Sequence, residues 1–263
     1  MAAEGKGQTG RLMFFDTVRG ILLLGMIGYH AMWDLVYLLG HYEYTWYTGV
    51  PGMIWQKTVC CGFIFLSGFC TVLGHRLLKR GIIVSLCGIV IMAVTAIVMP
   101  ENRVVFGVLT LIGASMIITA GLRRLIPLRP AGDRTHCGVW AVICAAGIIA
   151  CILFQGTMYG YLGTHGHPLL YFPKWLYRNY VTAFFGFRPA GFFSTDYFPL
   201  LPWFFLFLSG EAAGRLFRGM DWLKADIFRK GIRPFAFLGR HSLLIYLLHQ
   251  PVLYGIFMLW GLH

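Results

Sequence analysis

The chain has 263 residues, of which 58% are hydrophobic and only 12% charged, with a formal net charge of +12. An ordinary soluble domain is about a quarter charged, so this balance excludes a soluble enzyme and points to a polytopic membrane protein. The positive charge sits in short clusters between apolar runs rather than on one folded face, which argues for membrane topology and against nucleic-acid binding.

Apolar segments run over 17–39, 55–74, 82–99, 104–122, 138–154, 198–217 and 241–261. Each approaches the roughly 20 residues that a spanning helix needs, so the chain reads as an all-α bundle of about seven transmembrane helices forming a single domain, 1–263. The polar start MAAEGKGQTG and the length of the first run read as a permanent first helix rather than a cleaved signal. Gly81, Pro100, Pro127, Pro130 and Gly132 mark the expected joints.

Lys57, Arg103, Lys174, Arg178 and Arg188 fall on one side of this arrangement; the other 17 of the 22 lysines and arginines, Lys6, Arg11 and Arg129 among them, fall on the opposite side. By the positive-inside rule that places the N-terminus in the cytoplasm and the C-terminus outside, in the manner of a bacterial cytoplasmic-membrane protein. A long outer segment, 155–197, separates helices 5 and 6 and is rich in Tyr, Phe, Trp and Gly. Within it 168–187 is predicted as an interfacial or re-entrant helix, with Trp175, Tyr177 and Tyr180 at headgroup level.

Helix 1 carries charges that lipid rejects: Arg19 near the cytoplasmic mouth, then His30 and Asp34 in the outer half. Intramembrane ionisable groups face a protein interior or a water-filled cavity and suggest function. Arg19 and His30 are roughly 16 Å apart along the axis at 1.5 Å per residue. His30 and Asp34 share one face, where a carboxylate on one ring nitrogen would orient the imidazole as a general base. His41 and Glu43, in HYEYTWY, sit just outside and are candidates for a substrate mouth.

Helix 2 contains GFIFLSGF, whose Ser67 and Gly68 suit close packing. Helix 6 opens with TDYFPLLPW, placing Asp196 and Tyr197 at the outer surface, and Glu211 lies deeper, where pairing with a cytoplasmic-side arginine is expected. In the last helix His249 and Gln250 stand beside Pro251, which withholds an N–H from the carbonyl of Leu247, so a cavity wall is expected there. His165 and His167, without carboxylate or cysteine companions, read as loop histidines rather than metal ligands, and the seven cysteines suggest neither a disulfide nor a metal framework. Phosphate-loop, nucleophile-elbow and zinc-protease motifs are missing from the sequence.

RLMFFDTVRGILLLGMIGYHAMWDL, FIFLSGF, DYFPLLPW and LGRHSLLIYLLHQPV, in that order along the chain, resemble the transmembrane acyltransferase superfamily, particularly bacterial members related to the heparan-α-glucosaminide N-acetyltransferase catalytic domain. The most specific element is an Arg followed after ten intervening residues by His, here Arg19 and His30. The resemblance implies donor handling for Arg19, catalysis for His30 and a functional place for His249. It further implies transfer of an acetyl or other acyl group from cytoplasmic acetyl-CoA to an amine or hydroxyl of an extracytoplasmic sugar or glycan, without a metal.

In that expectation the CoA phosphates meet Arg19 and the basic loops at 76–80 and 229–240, with Arg76, Arg80 and Arg240 as donor-binding candidates. His249, Gln250, Asp196, Tyr197, His41 and Glu43 are the acceptor-side candidates. His30 acts either as general base or as acyl carrier, and both mechanisms stand at this stage. The remaining partners are membrane lipid and, as an open option, a second copy of the chain. A small-molecule transporter or proton-coupled protein using the same His, Asp and Arg groups is the alternative, although neither inverted repeats nor paired broken helices occur; a catalytically silent membrane scaffold is the third reading.

Overall fold

The computed structural model describes residues 12–126, 133–164 and 166–259. Its helices, in chain order, are α1 (Met13–Trp33), the single turn α2 (Thr45–Thr48), α3 (Val50–Phe69), α4 (Leu77–Val98), α5 (Val108–Leu125) and α6 (Cys137–Leu153). A hairpin of β1 (Tyr161–Thr164) and β2 (His167–Tyr171) follows, then α7 (Tyr180–Phe185), α8 (Leu200–Gly219), α9 (Asp226–Arg229), α10 (Arg233–Arg240) and α11 (Ser242–Leu259). Lys6, Arg11, Pro127, Arg129, Pro130, Gly132 and His165 lie outside the described residues.

Six helical stretches among the described residues are long and apolar enough to cross a membrane: Met13–Leu38, Leu77–Val98, Val108–Leu125, Arg134–Tyr159, Leu200–Gly219 and Ser242–Leu259. They are the chain's expected spans in all but one case. The exception is α3, a 20-residue helix at the place of the expected second span, in which Gln56 and Lys57 dilute the apolar run. The long helices are exposed where a soluble protein would be polar: Ile97, Val142 and Leu259 are 81%, 68% and 86% exposed, which suits side chains that face lipid tails.

The contacts gather into two compact units, Met1–Val59 with Trp222–His263, and Cys60–Asp221. In the first, α1 is clasped along its N-terminal half by α9 and α10. A β-carbon on Gly20 would strike the carbonyl of Phe235, and one on Gly239 would strike that of Asp16, so the two backbones touch where both residues are glycine. Thr17 fastens the same end: its hydroxyl donates to the Met13 carbonyl at 3.0 Å and accepts the Ile232 N–H at 3.1 Å. Phe15 stacks on Phe228 with centroids 5.5 Å apart.

In the second unit α3 and α8 meet in the same way, Gly68 against the Phe207 carbonyl and Gly210 against that of Phe65. Gly81, expected at a joint, is instead buried inside α4, where an added β-carbon would come within 2.9 Å of the Met116 side chain and 3.0 Å of the Gly113 carbonyl. It is a packing residue rather than a turn.

Glu211 of α8 is 5% exposed and is the hub of an ion cluster. Its Oε1 accepts from Nε and Nη2 of Arg123 at 2.9 and 2.7 Å, and from Nε and Nη2 of Arg215 at 3.0 and 2.9 Å. Arg123 also donates to Thr71, and the Arg215 guanidinium lies 4.7 Å above the Trp140 ring. A single buried carboxylate serving two guanidiniums satisfies the requirement that intramembrane charges be paired.

The long outer segment corrects one expectation. Residues 168–187 form no continuous interfacial helix: β2 pairs antiparallel with β1 across an irregularity at Leu162/Gly163, a 3-10 turn covers Lys174–Tyr177, and α7 is one and a half turns long. Gly160, Gly163 and Gly166, all at positive φ, supply bends that an L side chain resists. Leu169, Leu170 and Tyr171 are exposed, so the stretch lacks the one-sided burial that makes a strand visible in sequence.

Candidate active site

The polar groups of α1 and α11 converge within the first unit. His249, 8% exposed, brings its Nδ1 to 2.6 Å from the Tyr246 carbonyl one turn back in α11, and its Nε2 to 2.8 Å from Nδ1 of His30. The rings lie 4.8 Å apart by centroid and are tilted by 32°.

These contacts assign the protons. A carbonyl only accepts, so Nδ1 of His249 carries its hydrogen. In the neutral ring Nε2 is then an acceptor, and Nδ1 of His30 must be the donor. That leaves Nε2 of His30 with an unshared lone pair and no hydrogen-bond partner among the described residues. The chain carbonyl to His249 to His30 thus fixes the tautomer that a general base or a nucleophile requires, the ordinary orienting role of a group behind a catalytic histidine.

This revises the predicted partnership of His30. Asp34 shares its face one turn on, but the structure gives the orienting contact to His249. Asp34 is 3% exposed, and its Oδ1 accepts from Nε2 of Gln250 at 3.4 Å. It opens a π-helical turn, Asp34–Leu38, in which the Leu39 N–H reaches back five residues to the Asp34 carbonyl at 3.0 Å. Such turns are frequent at functional sites. The structure therefore makes two contacts between the helices, His30 with His249 and, one turn further along α1, Asp34 with Gln250.

An aromatic wall flanks the pair on one side. Tyr47 is 3% exposed, packs on Tyr29 at 5.0 Å between centroids and donates its hydroxyl to the Tyr29 carbonyl at 3.0 Å. Tyr29 meets Trp55 edge-on at 5.8 Å, and Trp55 stacks with Trp46. Burial and the surrounding tyrosines hold the Tyr47 phenol well above the usual range, so it remains a neutral donor. Neither Tyr47 nor Tyr246, which offers a carbonyl and meets the His249 ring edge-on at 5.4 Å, carried a sequence signal beyond aromatic enrichment.

The other candidates take up separate places. Arg19 pairs with Asp16 at 3.4 Å, one turn back in α1. Arg240 directs Nε to the Ala236 carbonyl at 3.3 Å. Arg76, at positive φ before α4, is exposed, and the Arg80 guanidinium covers Gly74. His41 and Glu43 form a surface pair at 2.9 Å, and hydrogen bonds from its own backbone N–H and from His41 hold the Glu43 carboxyl below its ordinary range.

In the second unit Asp196 accepts the Val108 N–H at 3.3 Å and so caps α5. The residue keeps some exposure, but its carboxyl is enclosed, and burial pushes it up to about 6. Tyr197 donates to the Ala183 carbonyl at 2.6 Å. Asp196 and Tyr197 thus hold the outer segment together, along with Ser194, whose hydroxyl bonds both the N–H and the carbonyl of Val105. Among the described residues no group of three or more His, Cys, Asp or Glu is placed to hold a metal ion.

Comparison with known proteins adds one finding. The family model of the heparan-alpha-glucosaminide N-acetyltransferase catalytic domain matches residues 11–251. Neither the curated proteins nor the solved structures return a match. The matched region takes in the paired histidines, Asp34, Gln250 and every span except the last turns of α11. With more than nine-tenths of the sequence inside the match, the chain belongs to the heparan-alpha-glucosaminide N-acetyltransferase catalytic family, a family of membrane acetyltransferases.

Proposed function

We propose that the protein transfers an acetyl group from acetyl-CoA to an amine or hydroxyl of a sugar on the opposite side of the membrane, with His30 as general base. The observation that carries this reading is the Tyr246 carbonyl–His249–His30 relay, which leaves Nε2 of His30 as a lone pair. Nε2 takes the proton of the acceptor as its N or O attacks the thioester carbonyl. The C–S bond breaks, and the same proton passes to the departing sulfur, giving the acetylated sugar and free CoA. While His30 holds that proton it is an imidazolium in a protein interior, where its Nδ1–H to His249 disperses the charge.

The donor side follows from the charge distribution. Arg19 and Arg240 of the first unit, and separately Arg76 and Arg80 of the second, suit the phosphates of CoA, for which guanidinium forks are well matched. With the N-terminus in the cytoplasm, as the lysine and arginine bias favours, the acceptor enters from the side of His41, Glu43, Asp196 and Tyr197. The cell membrane of a bacterium is the setting proposed.

The test uses purified protein in proteoliposomes with acetyl-CoA labelled in the acetyl group and a panel of sugar acceptors. Labelled acetyl-sugar and stoichiometric CoA thiol are expected, in an order of addition that requires both substrates together. Labelled protein that survives acid quench and forms without acceptor would replace the general base by an acyl-histidine. Failure to bind acetyl-CoA would refute the acetyltransferase reading.

A further inference from the structure

One end of α1 is longer than a hydrocarbon layer requires. The stretch Met13–Leu38 has 26 residues, about 39 Å at 1.5 Å per residue, against a core of about 30 Å. Asp16, Thr17 and Arg19 put the surplus, roughly six residues, at the N-terminal end, in the headgroup layer. The elements packed on that end are α9 and α10. Gly231 stands against Met13 and Thr17, Gly239 against Asp16, and Phe228 against Phe14 and Phe15. The span α11 begins at Ser242, just beyond the end of α10. The segment 224–240 therefore lies along the membrane surface between the starts of two spans.

Its outward chemistry is mixed. Lys224, Arg229, Lys230, Arg233 and Arg240 are exposed, and Asp226 is the one carboxylate among them. Arg229, Lys230 and Arg233 have neither an ion pair nor a side-chain hydrogen bond among the described residues. Between these cations Ile227, Ile232 and Phe237 are each more than half exposed. On α10, Arg233, Phe237 and Arg240 recur at i, i+4 and i+7, a stripe separate from the buried Ala236 and Gly239.

We infer that this segment is a docking surface for anionic phospholipid, with Arg229, Lys230 and Arg233 on the phosphates and Ile227, Ile232 and Phe237 in the glycerol and upper acyl layer. Basic clusters beside a span, interleaved with large apolar side chains, are suited to such a surface. The apolar members select lipid over a soluble phosphate. A phosphate ion or CoA would satisfy the cations and leave three large side chains in water, whereas a lipid covers charge and hydrocarbon together. The inference needs no substrate and stands apart from the acyl-transfer reading.

The test reconstitutes the full chain in phosphatidylcholine bilayers with a trace of photoactivatable phosphatidylglycerol or photoactivatable phosphatidylcholine. Both probes carry the reactive group near the glycerol, and labelled peptides are mapped by mass spectrometry. Each cation at an anionic surface multiplies association about fivefold, so phosphatidylglycerol should label 224–240 about 10- to 100-fold more than phosphatidylcholine does. The apolar part of α4, 81–98, should take the two probes equally. The triple variant Arg229→Gln, Lys230→Gln, Arg233→Gln should bring the ratio at 224–240 down to that of α4. Salt at about 1 M, where the screening length falls to about 3 Å, should do the same. Phe237→Ser removes no charge and should lower phosphatidylglycerol labelling about fivefold, roughly the share of a half-buried Phe. Thermal unfolding checks each variant, and Lys230→Gln alone, expected to cost about fivefold, carries the test if the triple variant does not fold.

Equal labelling of 224–240 by the two probes in wild type, or a ratio that the folded variants keep, would overturn the inference. Loss of phosphatidylglycerol labelling on saturation with CoA would overturn it too, by giving the cations to a soluble phosphate.

Discussion

Replacing His249 by alanine separates the relay from the base proposed at His30. The imidazole of His249 accepts the His30 Nδ1–H at 2.8 Å and donates its own Nδ1–H to the Tyr246 carbonyl at 2.6 Å. Alanine deletes both contacts and leaves a buried donor on His30. That donor costs about 1–3 kcal/mol, or roughly a five- to 150-fold fall in kcat at about 1.4 kcal/mol per decade. The same hole lets His30 move its hydrogen to Nε2, the tautomer that cannot accept a proton. A glutamine side chain in place of His249 would offer an amide near the position of Nε2, so H249Q should recover part of the loss that H249A shows. The assay is initial-rate acetyl transfer in proteoliposomes, with KM for acetyl-CoA measured beside kcat. Wild-type turnover in folded H249A would refute the relay, and so would equal damage in H249A and H249Q through the donor KM.

Two further outcomes follow from the second unit. Glu211→Ala removes the one carboxylate oxygen to which Arg123 and Arg215 both donate; uncompensated buried charge costs about 3–5 kcal/mol, so the variant should melt many degrees lower or fail to purify as a single species, whereas an unchanged melting temperature would show the cluster to be idle. Asp196 tests pH. Its folded value of about 6 lies above the ordinary 3.8, so the folded state binds the proton more tightly. Its contribution is fully present below about pH 4 and is lost as pH rises through 6, by up to about 3 kcal/mol. Wild type should therefore lose more melting temperature between pH 5 and pH 7 than Asp196→Asn; parallel curves would contradict this.

The spans were legible because an apolar run of about 20 residues has few other uses. The limits of that signal appear at α3, where Gln56 and Lys57 interrupt an otherwise apolar helix, and at Gly81, whose turn-forming reputation concealed a packing role. Glu211 and Arg215 stand four apart and could be paired by eye; Arg123, 88 residues away, could not. His30 shows the same boundary most clearly. Its neighbour on the helix face is Asp34, the partner that local spacing suggests, yet the ring bonds His249, 219 residues on. Helical periodicity says which side chains share a face and is silent about what the facing helix brings. The hairpin at 161–171 was hidden for another reason: its second strand is exposed throughout, so no alternation marked it.

The central claim is that Nε2 of His30 carries the proton of the acceptor. Its most direct test is the rate of labelled acetyl transfer by His30→Ala in protein that still binds acetyl-CoA. General-base catalysis contributes about 100- to 10,000-fold, so the account predicts a fall in kcat within that range and an acetyl-CoA affinity equal to that of wild type. Undiminished transfer by the folded variant would contradict it.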